Sequence, residues 1–329
     1  MFKYTHSSYP MFLRFICSFL ICLFSNAQIN AQTFVLNGAS ISLSHPAQIH
    51  FQDLEIPVSK NNDQIIHHTA YTLSYNETHE QANWVAYELN KAKTIKRANR
   101  SNEFEPDAAA ITGTANDHDY LHSGYDRGHL APAADMAWSE KTMAESFYYS
   151  NMSPQVPSFN RGIWKQLETQ VRNWASNEQN LYIVTGPILT EHLPSIGENH
   201  VSIPKFYYKA ILSVVANEFK AIAFVLPNEA SHLPIQYFSI SIDSLEQLSG
   251  IDFFDKLPDE IETNLENTIC LPCWNWEEQH SSKQIHDKSN SAIEQLQHGE
   301  KMQCTAITKA GTRCKRTTTN TSGRCYQHE

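Results

Sequence analysis

This 329-residue sequence lacks any apolar run long enough to cross a bilayer. A spanning helix needs about 20 such residues; the compact run Phe15 to Phe24 has ten. Positive charge is also scarce. Lys and Arg number 25 against 35 Asp and Glu, a formal net charge of -10. That balance excludes the broad basic field of a generic polyanion binder, so any nucleic-acid chemistry must rest on local patches. No internal repeat is present, which argues against a solenoid. Charged residues make up only 18% and apolar residues 41%, with a mean hydropathy of -0.44. These values exclude a disordered or fibrous chain and leave an ordinary globular protein.

What is present starts at the N-terminus. Lys3 and Arg14 precede the Phe15 to Phe24 run, and Ser25-Asn26-Ala27-Gln28 follows it. A basic start, a short apolar stretch and small residues describe a secretory signal peptide over residues 1–27. The expectation is therefore a secreted or periplasmic protein with no transmembrane segment after cleavage; an uncleaved anchor is the alternative. Two basic patches stand out. Lys91, Lys93, Lys96, Arg97 and Arg100 place five cations within ten residues, and the last 31 residues hold six cations against two acids. Each is a solvated face unless something else gives it a role.

Alternating and β-branched runs mark strands at Trp84 to Leu89, Leu181 to Thr185, Phe206 to Val215 and Phe219 to Leu226. The first reads as half-buried. Ile163, Trp164, Leu167, Val171 and Trp174 recur at helical spacing, and the two tryptophans are expected to pack that helix onto a sheet. Further helices are expected at Ser244 to Leu248 and Asp259 to Glu266. The fold class is α+β, with a main globular domain over 28–276. A polar linker follows over 277–303, with one weak helix around Ala292 to Leu296, and then a small Cys/His module over 304–329.

Gly124 to Asp135 concentrates an imidazole, a guanidinium and two carboxylates around Asp126-Arg127-Gly128-His129. Alone, those four residues could be a buried ion-paired turn. The segments Asn151-Met152-Ser153-Pro154-Gln155 and Phe159-Asn160-Arg161-Gly162-Ile163-Trp164, with Glu168 beyond, add an amide and a carboxylate. If Asn160 begins the helix, Glu168 falls about two turns on, within roughly 80° of the same face. Hydrolysis of a phosphodiester needs an activated water, a cation on the non-bridging oxygens and stabilisation of the departing alkoxide. A neutral imidazole suits the first task near pH 7. An amide oxygen suits Mg²⁺, which takes few protein ligands. Arg127 can grip phosphate through two parallel hydrogen bonds. His67, His68 and His118 read as surface residues.

These three ordered motifs, from Tyr125 through Glu168, resemble the non-specific DNA/RNA endonuclease family, and the similarity runs from about Leu54 to Trp276. The resemblance implies a ββα-metal fold with a central mixed or antiparallel sheet and flanking helices, acting on DNA and RNA with little sequence preference. It implies His129 as general base and Asn160 as direct ligand of one Mg²⁺ or Mn²⁺. Glu168 would hold the ion's water shell, and Arg127 would stabilise the phosphorane. Asp126, Asn151 and Gln155 would shape the site. The family's upstream arginine is matched best by Arg100, with Arg97 as rival, which gives the first basic patch a role. An inhibitor protein is a further conceivable partner.

The odd cysteine count is informative. With Cys17 and Cys22 lost in the signal segment, five remain: Cys270, Cys273, Cys304, Cys314 and Cys325. Cys304, Cys314, Cys325 and His328 supply four ligands for a tetrahedral Zn²⁺. Zinc there leaves Cys270 and Cys273 to pair or stay reduced; disulfides in the tail are the rival reading. Two other functions compete with the nuclease reading: a non-catalytic nucleic-acid-binding or envelope-attached protein on the same fold, and an enzyme for a different phosphodiester.

Overall fold

The computed structural model describes residues 34–37, 40–43, 52–58, 64–177, 180–215, 218–276, 302–307, 313–318 and 324. The signal segment, the weak helix at Ala292 to Leu296, Cys325 and His328 lie outside them. In chain order the strands are β1 (Phe34–Asn37), β2 (Ser40–Leu43), β3 (Gln64–His67), β4 (Thr72–Asn76), β5 (Gln81–Leu89), β6 (Asp126–His129), β7 (Met152–Gln155), β8 (Asn180–Pro187), β9 (Ser195–Ile196), β10 (Val201–Ser202), β11 (Phe206–Val215), β12 (Glu218–Pro227) and β13 (Ser239–Ile240). The helices are α1 (Asp117–Tyr120), α2 (Glu140–Glu145), α3 (Pro157–Phe159), α4 (Lys165–Asn177), α5 (Ile242–Ser249) and α6 (Asp259–Glu266).

The main sheet runs β1-β2-β12-β11-β8-β5-β4-β3, with β13 on β12, and its paired strands are antiparallel. Side chains alternate between its faces with the two-residue period of a strand. Along β5, Val85, Tyr87 and Leu89 enter one core, while Trp84 and Ala86 enter the other. Along β12, Ile222 and Phe224 join the first core, and Ala221, Ala223 and Val225 the second. The first core is closed by Phe159, Ile163, Trp164, Leu167, Val171 and Trp174. The second is closed by Ile242, Leu245, Ile261 and Leu265 of α5 and α6. The fold is thus α+β, a sheet covered on both sides.

That double cover corrects one expectation. β5 is not half-buried: Trp84, Val85, Ala86 and Tyr87 are all inaccessible. The sequence alternation reports two different apolar environments rather than core and water. Trp164 and Trp174 do pack onto the sheet. Trp164 lies 5.8 Å from the Tyr207 ring and Trp174 6.4 Å from Phe224.

The helix start is a second correction. Asn160 ends α3, and a π-turn over Asn160–Trp164 links it to α4, with Gly162 at non-helical φ -103°, ψ -113°. The α-helical angle that related Asn160 to Glu168 therefore does not apply. Wide turns of this kind re-aim side chains, often at functional sites. Cys270 and Cys273 form a disulfide, with Cα atoms 5.3 Å apart. In the tail, β14 (Met302–Gln303) pairs with β15 (Thr317–Thr318). Cys304 and Cys314 are buried there, and the Cys304 N–H donates to the Arg316 carbonyl at 2.8 Å.

Candidate active site

The strands β6 and β7 form a separate antiparallel ribbon that pairs Gly128 with Ser153 and His129 with Met152. Gly128 has a packing reason: a Cβ there would overlap the side chain of Gln155, which is itself fully buried. Gly128→Ala should therefore cost about 1–3 kcal/mol by overpacking. A thermal-melt comparison that found no loss would show that Gln155 can move aside.

Asn151 fixes the chain just beyond His129. Its Oδ1 accepts from the Ala131 N–H at 2.8 Å, and its Nδ2 donates to the carbonyls of Ala131 and Ser146, each at 2.9 Å. The Leu130 N–H also donates to the Asn151 carbonyl at 3.0 Å. Every polar atom of this fully buried amide thus serves the turn after the ribbon.

His129 is 8% exposed and packs edge-on to Phe147 at 4.8 Å, with Phe104 at 5.8 Å. Its ring is hydrogen-bonded to the Arg127 backbone, and Nε2 has no protein partner. Burial pushes the imidazole down to about 3, helped by the positive charges of Arg100 and Arg127. The ring is accordingly neutral around pH 7, with one nitrogen able to accept a proton.

Asp126, at the start of β6, organises two partners. It accepts from Asn160 Nδ2 at 2.9 Å and from Arg161 Nε and Nη2 at 2.8 and 2.6 Å. Because the Asn160 amide nitrogen is committed to Asp126, its Oδ1 is the atom left to meet a ligand. Arg127 pairs with Asp117 and lies 4.0 Å over the Phe104 ring. Arg100 sits 5.0 Å over Phe147. These groups meet around a cleft of about 700 Å³ lined by Arg100, Phe104, Asp117, Arg127, Asn160 and Arg161, with His118 and His122 also on its wall. Arg97 is not among the lining residues; its backbone N–H donates to the Ala137 carbonyl at 2.7 Å.

Glu168 sits on the first turn of α4. Burial holds its carboxyl above the usual carboxylate range, against the pull of Lys209, Arg172 and Arg100. Lys209, on β11, is fully buried. Its ammonium lies 5.0 Å from the Trp164 ring and has no hydrogen-bond acceptor. Asp135 completes this charge layer, bonded to Arg172 at 2.8 Å and to the Tyr87 hydroxyl at 2.8 Å.

The structure therefore brings Arg100, Asp126, Arg127 and Asn160 to one cleft, places His129 and Gln155 on the ribbon, and sets Asn151 against the turn that follows His129. His68 is corrected: far from being a surface residue, it is held at 2.8 Å from Asp107. Sequence reasoning missed Asp117, Phe104, Phe147 and Lys209. A lysine inside the apolar run Phe206 to Val215 was the one visible signal. The aromatic and acidic supports lie in unremarkable stretches and meet the motif only through folding.

A family model described as DNA/RNA non-specific endonuclease matches residues 52–260, spanning the ribbon, the π-turn and α4. Mitochondrial endonuclease G of Bos taurus is 34% identical over 205 residues, covering 58% of this chain and 69% of that protein. The mitochondrial nuclease EXOG of Danio rerio is 36% identical over 207 residues, 58% of this chain and 60% of that one. A chain in the crystal structure of an EndoG/EndoGI complex superposes with a TM-score of 0.58 at 32% identity, covering 62% of this chain and 89% of its own. With a family match over residues 52–260 and a shared overall fold, the chain belongs to the DNA/RNA non-specific endonuclease family.

Proposed function

We propose that this chain is an exported, divalent-metal-dependent endonuclease that hydrolyses DNA and RNA with little sequence preference, using His129 as general base. The observation that carries the reading is the unpartnered Nε2 of a neutral, buried His129, on the strand whose Asp126 and Arg127 line a cleft with Arg100 and Asn160. The donor set fits a magnesium-type ion. One amide oxygen is held in place through Asp126, and no cluster of three carboxylate, imidazole or thiolate ligands occurs at this cleft among the described residues. An ion that keeps most of its waters asks for that sparse set. When bound, it would supply charge neutralisation for the leaving alkoxide.

The chain's own groups divide the remaining work. His129 Nε2 takes the proton of the attacking water. Arg127, aimed by Asp117 and Phe104, and Arg100, resting on Phe147, hold the non-bridging oxygens. Glu168 orients water in the site, and Asp126 keeps the Asn160 oxygen outward. The expectation of export rests on the Lys3 to Gln28 segment. An inhibitor protein that covers this cleft is a partner class suggested by the EndoG/EndoGI complex.

The test is degradation of plasmid DNA and of RNA by the full mature chain with Mg²⁺, with EDTA, and by Asn160→Ala. Both polymers should be cut with Mg²⁺ and spared with EDTA. Asn160→Ala should need more metal for less activity. Folded protein that cuts neither polymer would leave the binding-protein reading, and cleavage indifferent to EDTA would remove the metal.

A further inference from the structure

On the sheet face opposite the β6–β7 ribbon, α5 and α6 carry an unusual charge load. From Asp243 to Glu266 the sequence has eight acids and one cation, Lys256. That lysine is engaged elsewhere, donating to the Asp53 carbonyl at 2.8 Å. Three of the acids converge. Asp243 and Glu246, three residues apart, share a face of α5, and Glu266 is the last residue of α6. One carboxylate oxygen from each lies within 4.8 Å of the other two.

Glu266 points to a ligand independently of that convergence. It is 7% exposed, and its Oε1 has no hydrogen-bond partner. A protonated carboxyl would be expected to donate a hydrogen bond, and an ionised one to accept several. It also occupies the negative end of the α6 dipole, with no basic residue in that turn. The charged groups that face it are Glu246, Glu262, Asp243 and Asp252, all acids. Glu246 is pre-positioned, since its Oε1 accepts from the Phe253 N–H at 2.9 Å.

We propose that Asp243, Glu246 and Glu266 bind a calcium ion at a structural site on the face of the sheet opposite the catalytic cleft. Oxygen donors are the ligands hard cations select. Calcium bonds oxygen at about 2.3–2.6 Å, so two oxygens on one ion stand no more than about 4.6–5.2 Å apart. The three carboxylates meet that limit as they stand. Magnesium demands a near-ideal octahedron and gives up its waters reluctantly, whereas calcium accepts irregular sets of carboxylates. The ion would tie α5 to α6 over the second core and neutralise the Glu266 charge.

The experiment is thermal unfolding and calorimetric titration of the full chain with CaCl₂ after chelation. It is run in the wild type and in Asn160→Ala, so that the catalytic cleft is not the metal's seat. At free calcium about one hundred times Kd, the melting temperature should rise by about 5–10 °C in both. Glu266→Gln and the half-buried Asp243→Asn should each weaken calcium binding at least tenfold. In chelator, Glu266→Gln should melt no lower than wild type, because a neutral amide replaces a buried carboxyl crowded by other acids. Absence of a calcium-dependent shift in the wild type would overturn the site. So would a shift that survives unchanged in both carboxylate variants. Neither result depends on nuclease activity, so this site and the proposed reaction fail separately.

Discussion

His129→Ala should lower cleavage of DNA and RNA by about 10²–10⁴-fold, the contribution of a positioned general base. The fold should survive, because Nε2 makes no bond and the one hydrogen bond lost is to the Arg127 backbone. Turnover within tenfold of wild type would remove His129 from the reaction. The base looks weak in the free protein, pushed down to about 3. Two of the causes are the charges of Arg100 and Arg127, and an anionic diester seated between them would offset both and raise the imidazole towards working pH. The same depression has a stability signature. The unfolded chain binds this proton near pH 6.5 and the folded chain only near 3, so stability from this group is complete above about 6.5 and is lost as pH falls towards 3. The alanine variant should lose stability less steeply across that window, which acid titration of the melting temperature reads directly.

Asn151→Ala should be the most destabilising single change near the site, by about 3–5 kcal/mol. It removes three hydrogen bonds inside a dry turn and strands the Ala131 N–H and two carbonyls. Because Ala131 lies two residues beyond His129, activity should fall along with stability. Asn151→Asp should not rescue either property. Its oxygen can still accept from Ala131, but the second oxygen would face the carbonyls of Ala131 and Ser146 instead of donating to them. Chemical denaturation that placed both variants within about 1 kcal/mol of wild type would show that the turn is held by its backbone alone.

The contrast between His129 and Asn151 separates two kinds of information in one motif. His129 was legible as chemistry because an imidazole beside arginine and carboxylates suits a phosphodiester. Asn151 was legible only through the family resemblance, since nothing local reveals that an amide will span Ala131 and Ser146. The helical spacing of Leu167, Val171 and Trp174 gave α4, as all three bury against the sheet. It did not give the π-turn at Asn160–Trp164, because a single wide turn leaves no periodic trace over five residues. Nor did it reveal that β5 has apolar neighbours on both sides.

The sequence by itself determined the α+β class, the ordered motifs and the residue types needed to grip phosphate and move a proton. Those properties are local, set by side-chain chemistry and by short-range periodicity. Only the tertiary structure decided which arginine of the basic patch reaches the cleft and which acid aims Arg127. It also decided why Gly128 cannot carry a side chain, and that three acids of α5 and α6 converge. Each of these depends on contacts between residues far apart in the chain, as Asp126 meets Asn160 and Arg161, and long-range packing has no signature in the spacing of any one segment.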